Sequence, residues 1–355
     1  MVGRTFRVAA AGAAISLLFG AVASSAPSPR KRARAAVGYI VRQQENNGSI
    51  PSFSVIGSTA DGIASMVAAR RAPKAITKAV RYLKNNENDV DRVGEKAKVI
   101  MALEAAGRNP RKFAGRNLVS EIRVGMQLDG RYGDLEQSYV FDQALSILAL
   151  SAANGEIEGT ALAWLQDAQC DDGGWQFDLP SSASDDAHCS DETVPPPGDF
   201  TTSDTNTTSY AIQAFAASDQ PFLVPEEAYD FLATARDPIK KGWVFAPEFA
   251  CVGNQEPPDC SVSDANSTAL VIQARLAFDK PVRERARQAL RSLQYRLCGK
   301  NSGAFAVTWV DDDGELKKSG PDVGATVGAV PGVLEKTFPI PPAEVTKPAP
   351  KPGSC

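Results

Sequence analysis

Histidine is nearly absent from this 355-residue sequence; the single copy is His188. One histidine gives no basis for a Ser-His-Asp or Cys-His catalytic site. Aromatic residues are sparse at 7%, and the segments that read as buried helices carry little beyond Tyr210. Excess positive charge is lacking too. The formal charge is −4, which leaves no electrostatic footprint for nucleic acid. Long apolar runs are missing after the first residues, so no later segment can span a bilayer.

What is present begins with a leader. Arg4 and Arg7 precede the uncharged stretch Val8 to Val22, and Ala21-Val22-Ala23 fits a small-x-small cleavage site. Residues 1–23 are therefore expected to be a signal peptide. The mature chain would be secreted or cell-surface associated, with a charge of −6 once those two arginines are removed. No stable membrane insertion is expected. Six cysteines in an exported chain favour disulfides. Their spacing favours Cys170–Cys189 and Cys251–Cys260, which leaves Cys298–Cys355. From Pro339 to Cys355 the chain is rich in Pro, Lys and Ala. Such a tail favours extended conformations and buries little, as a spacer or as a loose end.

Between these ends the sequence repeats. Helix-ending phrases recur with lead residues Tyr39, Tyr82, Ile122, Trp164, Phe231 and Leu293. Their steps of about 40 residues match a two-helix unit, and the two longer steps hold the cysteine-bearing insertions. Each phrase leads through a polar turn into a second helix of small and aliphatic residues. A helix apolar all round is buried, so the second helices are expected inside and the charged first helices outside. The sixth second helix should break at Pro331 and Gly332. The expected fold is all-α, over residues 24–338: six hairpins, six inner and six outer helices, closed into a ring.

One phrase carries a resemblance: Trp164-Leu165, then Gln169-Cys170-Asp171-Asp172-Gly173-Gly174-Trp175. It resembles the Gln-Trp motif of the prenyltransferase/squalene oxidase (terpenoid cyclase) repeat superfamily. Gln127-Leu128-Asp129-Gly130-Arg131-Tyr132-Gly133 is a weaker copy. The resemblance implies an α/α toroid around a central cavity, with the inner-helix N-termini opening on one face. It does not by itself imply catalysis.

The chemistries of that superfamily each need residues that this chain lacks. Asp89-Val90-Asp91-Arg92 departs from the Asp-x-Asp-Asp acid of the cyclases. Asp185-Asp186-Ala187-His188-Cys189 departs from a magnesium-binding Asp-Asp-x-x-Asp and offers no zinc triad. Cys298-Gly299-Lys300-Asn301 lacks the glutamine of a thioester. No cofactor and no metal are implied. Asp61, Glu95 and Asp142, which are expected to start three inner helices, should share one cavity mouth with Asn206, Thr207, Asn266 and Ser267. Such residues cap helices by default, or they form a ligand-binding polar ring. The resulting expectation is an exported monomeric toroid without catalysis that binds a small molecule or an extracellular protein. The alternative is an exported terpenoid-cyclase-like or carboxylate-based enzyme on the same toroid.

Overall fold

The computed structural model describes residues 26–134, 139–178, 202–218, 226–251, 260–312 and 315–353. The leader, Cys189, Cys355 and His188 lie outside them. Among the described residues the outer helices are α1 (Pro29–Gln43), α3 (Pro73–Asn85), α5 (Leu118–Val124), α7 (Gly159–Asp167), α9 (Glu227–Thr234) and α11 (Glu284–Ser292). The inner helices are α2 (Val55–Ala68), α4 (Val93–Ala105), α6 (Val140–Ala152), α8 (Thr205–Ala217), α10 (Ala265–Ala277) and α12 (Val323–Val333). Each inner helix packs on the next, and α12 returns to α2, which closes the ring. The fold is an all-α toroid with a few short two-stranded pairings between its loops.

Burial follows the pattern of apolar residues. Outer α3 buries one stripe, Ala75, Ile76, Ala79, Val80 and Leu83, at the spacing of a single helix face. Inner α6 buries every residue from Asp142 to Leu150. Small and aliphatic side chains fill most of these positions, and the buried Gln143 is accommodated by hydrogen bonds to Tyr132 N–H and to the Gly130 and Ala161 carbonyls.

A recurring latch ties the preceding turn to the inner helix in five of the repeats, those of α2, α6, α8, α10 and α12. The backbone N–H groups of Ile50, Trp175, Trp243 and Phe305 donate to the hydroxyls of Thr59, Thr208, Thr268 and Thr326, each at 2.9 Å. In the Tyr132 repeat the acceptor is Gln143 Oε1, at 2.8 Å. The motif tryptophans also donate through their rings, from Trp175 Nε1 to the Leu165 carbonyl at 2.7 Å and from Trp243 Nε1 to the Leu232 carbonyl. Gly173 has φ +87°, and a Cβ there would lie 2.4 Å from the Glu227 carbonyl of α9. The turn therefore needs glycine for both its backbone angle and its close approach. Gly303 packs in the same way on Ala35 of α1, where the last repeat meets the first.

Three expectations need correction. Helix α12 does not break at Pro331; it runs through to Val333. A proline inside a helix removes the donor for the carbonyl four residues earlier, here that of Val327. The Ser65 hydroxyl of α2 donates to that carbonyl at 2.8 Å and replaces the missing bond. The proline-rich tail is not a segment that buries little. Ile340 is buried and Ala343, Val345 and Ala349 pack on the core. The tail is also pinned by Ala72 N–H donating to the Lys347 carbonyl at 2.9 Å and by Gly299 N–H donating to the Gly353 carbonyl at 3.0 Å. Finally, α2 starts at Val55, capped by Ser54, so Asp61 sits mid-helix.

Cys251 and Cys260 form a disulfide with a Cα separation of 4.9 Å. Cys170 and Cys298 are oxidised as well, and their expected partners Cys189 and Cys355 lie outside the described residues. No helix among the described residues is long and apolar enough to cross a membrane.

Candidate active site

The latch residues set the register of the ring. Two positions after them stand Asp61, Leu145, Tyr210, Leu270 and Gly328; two positions before them stand Gly57, Phe141, Asn206, Asn266 and Gly324. Nine of these ten, all but Leu145, line a central cavity of about 420 Å³. That size suits a small organic ligand. Ser52, Phe53 and Ser54 stand at its edge by the N-terminus of α2, and Val327, Pro331 and Phe338 lie toward the other end.

The charged centre is one ion pair. Lys98 Nζ of α4 lies 2.8 Å from Asp61 Oδ2 of α2, and both line the cavity. Burial by itself would lower the pKa of the Lys98 ammonium, but Asp61, Tyr210 and Asp142 outweigh it and hold it above its ordinary range. Lys98 therefore stays cationic. The Phe141 ring lies 5.8 Å from its Nζ, and Phe141 meets Tyr210 edge-on at 5.2 Å. The Phe338 ring lies 5.8 Å from the Tyr210 ring. Burial raises the Tyr210 phenol well above its usual range, so it remains a neutral donor.

A second carboxyl group reaches the cavity indirectly. Glu95 Oε1 accepts from the Ser54 hydroxyl at 3.1 Å, and Ser54 lines the cavity. Burial raises the Glu95 pKa, against the opposing effects of the Ser54 bond, Arg92 and Lys98. Asp142 stands behind this group. Burial pushes it up to about 6, with Arg92 opposing most strongly. Its carboxyl accepts from the Tyr139 backbone N–H, as the third residue of a helix does when it reaches back to the cap.

The expected polar ring therefore divides. Asp61, Asn206 and Asn266 face the cavity, and Glu95 meets it through Ser54. Asp142, Thr207 and Ser267 are buried outside the cavity lining. The helix caps are other residues: Asp204 Oδ1 accepts from Asn206 and Thr207 N–H, both at 2.8 Å, Asp264 Oδ1 from Ser267 N–H, and Asp322 Oδ1 from Ala325 N–H. Asn206 Oδ1 is buried with no hydrogen-bond partner. Sequence reasoning missed Lys98, Ser54, Phe141 and Phe338. For Phe141 the available signal was its place two residues before the latch residue Gln143; Ser54 and Phe338 stand at no such position. Among the described residues no group of acidic, histidine or cysteine side chains could hold a metal ion.

No family model matches the sequence, and no curated protein matches it. Solved structures match over nearly the whole chain at low identity. A protein from Actinoplanes is 14% identical, with 87% of this chain and 99% of that one covered and a TM-score of 0.58. An unsaturated glucuronyl hydrolase specific for heparin is 12% identical, with 86% and 96% covered and a TM-score of 0.57. A variant of the type II terpene cyclase MstE from Scytonema, in complex with geranylgeranyl dihydroxybenzoate, is 13% identical, with 86% and 97% covered and a TM-score of 0.57. The last two are enzymes, and an α-1,6-mannanase from Salegentibacter also matches. This overturns the expectation of a toroid without catalysis, which rested on the fold resemblance together with missing signatures. The chain is an α/α toroid of the terpenoid-cyclase-like architecture.

Proposed function

We propose that the protein is an exported carboxylate-based hydrolase or lyase that acts on a small, hydroxyl-rich substrate in the central cavity. The observation that carries this reading is the contrast between two carboxyl groups. Asp61 is held against the Lys98 ammonium at 2.8 Å. Glu95 is pushed toward its protonated form by burial. Two carboxyl groups set apart by their surroundings are the working parts of an acid/base pair.

In this scheme the Glu95–Ser54 hydrogen bond reverses: protonated Glu95 donates to the Ser54 oxygen while the Ser54 hydroxyl gives its own proton to the leaving oxygen. Asp61 takes a proton from the attacking water, so that water adds across the broken bond. Lys98 faces an acidic group of the substrate. Asn206, Asn266 and Tyr210 supply amide and phenol groups for its hydroxyls. An isoprenoid chain would leave Asp61, Lys98 and the amides of Asn206 and Asn266 unpaired, whereas a sugar acid can pair with them and stack on Phe141 and Phe338. Export is supported by the Cys251–Cys260 disulfide and by the leader-like first residues.

The test is a turnover screen with fluorogenic glycosides, unsaturated uronides and isoprenoid diphosphates, using wild type, D61N and E95Q. Release from a uronide or glycoside that falls at least 100-fold in both variants is the expected result. Turnover of an isoprenoid alone would replace this reading with the terpenoid one. Turnover of a sugar that survives both substitutions would remove these two residues from the mechanism.

A further inference from the structure

We infer that the C-terminal strap is the floor of the cavity and that Phe338 sets how deep a ligand can enter. For the ligand class, this rests on the reading of the cavity as a saccharide site. The N-terminal edge of the cavity is marked by Ser52, Phe53 and Ser54, and the far end by Pro331 and Phe338. Phe338 enters from outside the repeat, four residues beyond the last helical turn at Leu334. Its backbone N–H donates to Gln213 Oε1 at 2.8 Å, and Gln213 is fully buried in the C-terminal half of α8. Its ring lies 5.8 Å from the Tyr210 ring, which also meets Phe141 edge-on at 5.2 Å.

The strap that presents this ring is fixed at several points. Ile340 is 3% exposed. Pro342, Ala343 and Val345 lie in a groove with Val67, Ile76 and Ala106, at the C-terminal ends of α2 and α4 and on α3. Beyond them, the Lys347 carbonyl accepts from Ala72 N–H at 2.9 Å. Gly38 of α1 meets the strap so closely that a Cβ there would lie 2.8 Å from the Pro350 carbonyl. Every one of these anchors lies outside the cavity, so the strap stays in place when the Phe338 side chain alone is removed. The phenyl ring then acts as a stop: truncating it lengthens the cavity without opening the ring of helices.

Two measurements on the full oxidised chain test this. The first is calorimetric binding of glucuronic acid and its β-linked di- and trisaccharides to wild type and F338A. Wild type is expected to lose affinity at least 10-fold at the length that meets the floor, and F338A to recover it at that length. An identical length profile in the two proteins would overturn the inference. The second needs no ligand: hydrogen exchange of the Ile212–Ala217 amides. Faster exchange in F338A with an unchanged melting temperature supports a floor, and unchanged exchange overturns it. Faster exchange with no saccharide bound by wild type would keep the floor and remove the saccharide reading.

Discussion

The ammonium of Lys98 and the carboxylate of Asp61 meet at 2.8 Å across the α2–α4 seam, and both face the cavity. Each is only partly exposed, at 20% and 27%. Removing one partner leaves the other charge poorly solvated, whereas removing both does not. K98M and D61L are each expected to lower stability by about 1–3 kcal/mol. The K98M/D61L double variant should recover more than half of the summed loss. Urea unfolding of the four proteins measures the coupling, and additive losses would mean that the pair contributes nothing.

Stability should fall as pH rises from about 4 to 7. Burial raises Asp204 to about 7 and Asp264 to about 6. A carboxyl whose folded pKa lies above its unfolded value binds more protons in the native state, so folding loses stability through that interval. D204N keeps an acceptor for Asn206 and Thr207 N–H and has no charge to bury. Its melting temperature should vary less between pH 4 and 7 than that of wild type. A parallel pair of curves would show that Asp204 is not the titrating group.

Ser65 compensates for a proline. S65A strands the Val327 carbonyl inside the ring and is expected to cost about 1–2 kcal/mol. P331A supplies a backbone donor to the same carbonyl. In the P331A background the S65A substitution should therefore cost less than half as much. Equal costs in both backgrounds would separate the two residues.

The motif tryptophan is structural. Trp175 is fully buried, with its ring N–H 2.7 Å from the Leu165 carbonyl and its backbone N–H on Thr208. W175F keeps most of the packing and loses one hydrogen bond, for about 1–2 kcal/mol; W175A should cost about 3–5 kcal/mol. Thermal unfolding ranks them. Losses of equal size would mean that the hydrogen bond, not the ring, supports the turn.

The sequence by itself determined the toroid. The repeat of about 40 residues, the all-round apolar composition of helices such as Val140–Ala152, and the Gln-Trp phrase at Gln169–Trp175 are local signals, because helix period and turn chemistry depend on residues close in the chain. Asp61, Asn206 and Asn266 could also be read as facing inward, since repeats in phase present equivalent positions to one axis. The tertiary structure alone decided which side chains meet. Lys98 stands where the other inner helices carry Asp61, Leu145, Tyr210, Leu270 and Gly328, none of them a lysine, and its partner lies 37 residues away. Phe338 joins Gln213 over 125 residues, and Ser65 reaches the Val327 carbonyl over 262. Composition showed the proline-rich tail as loose because its anchors, the Ala72 and Gly299 N–H groups and the core surface under Ile340 and Val345, lie far away in the chain. Contacts across ring closure depend on the angle at which six helices pack, and no local stretch of sequence carries that angle.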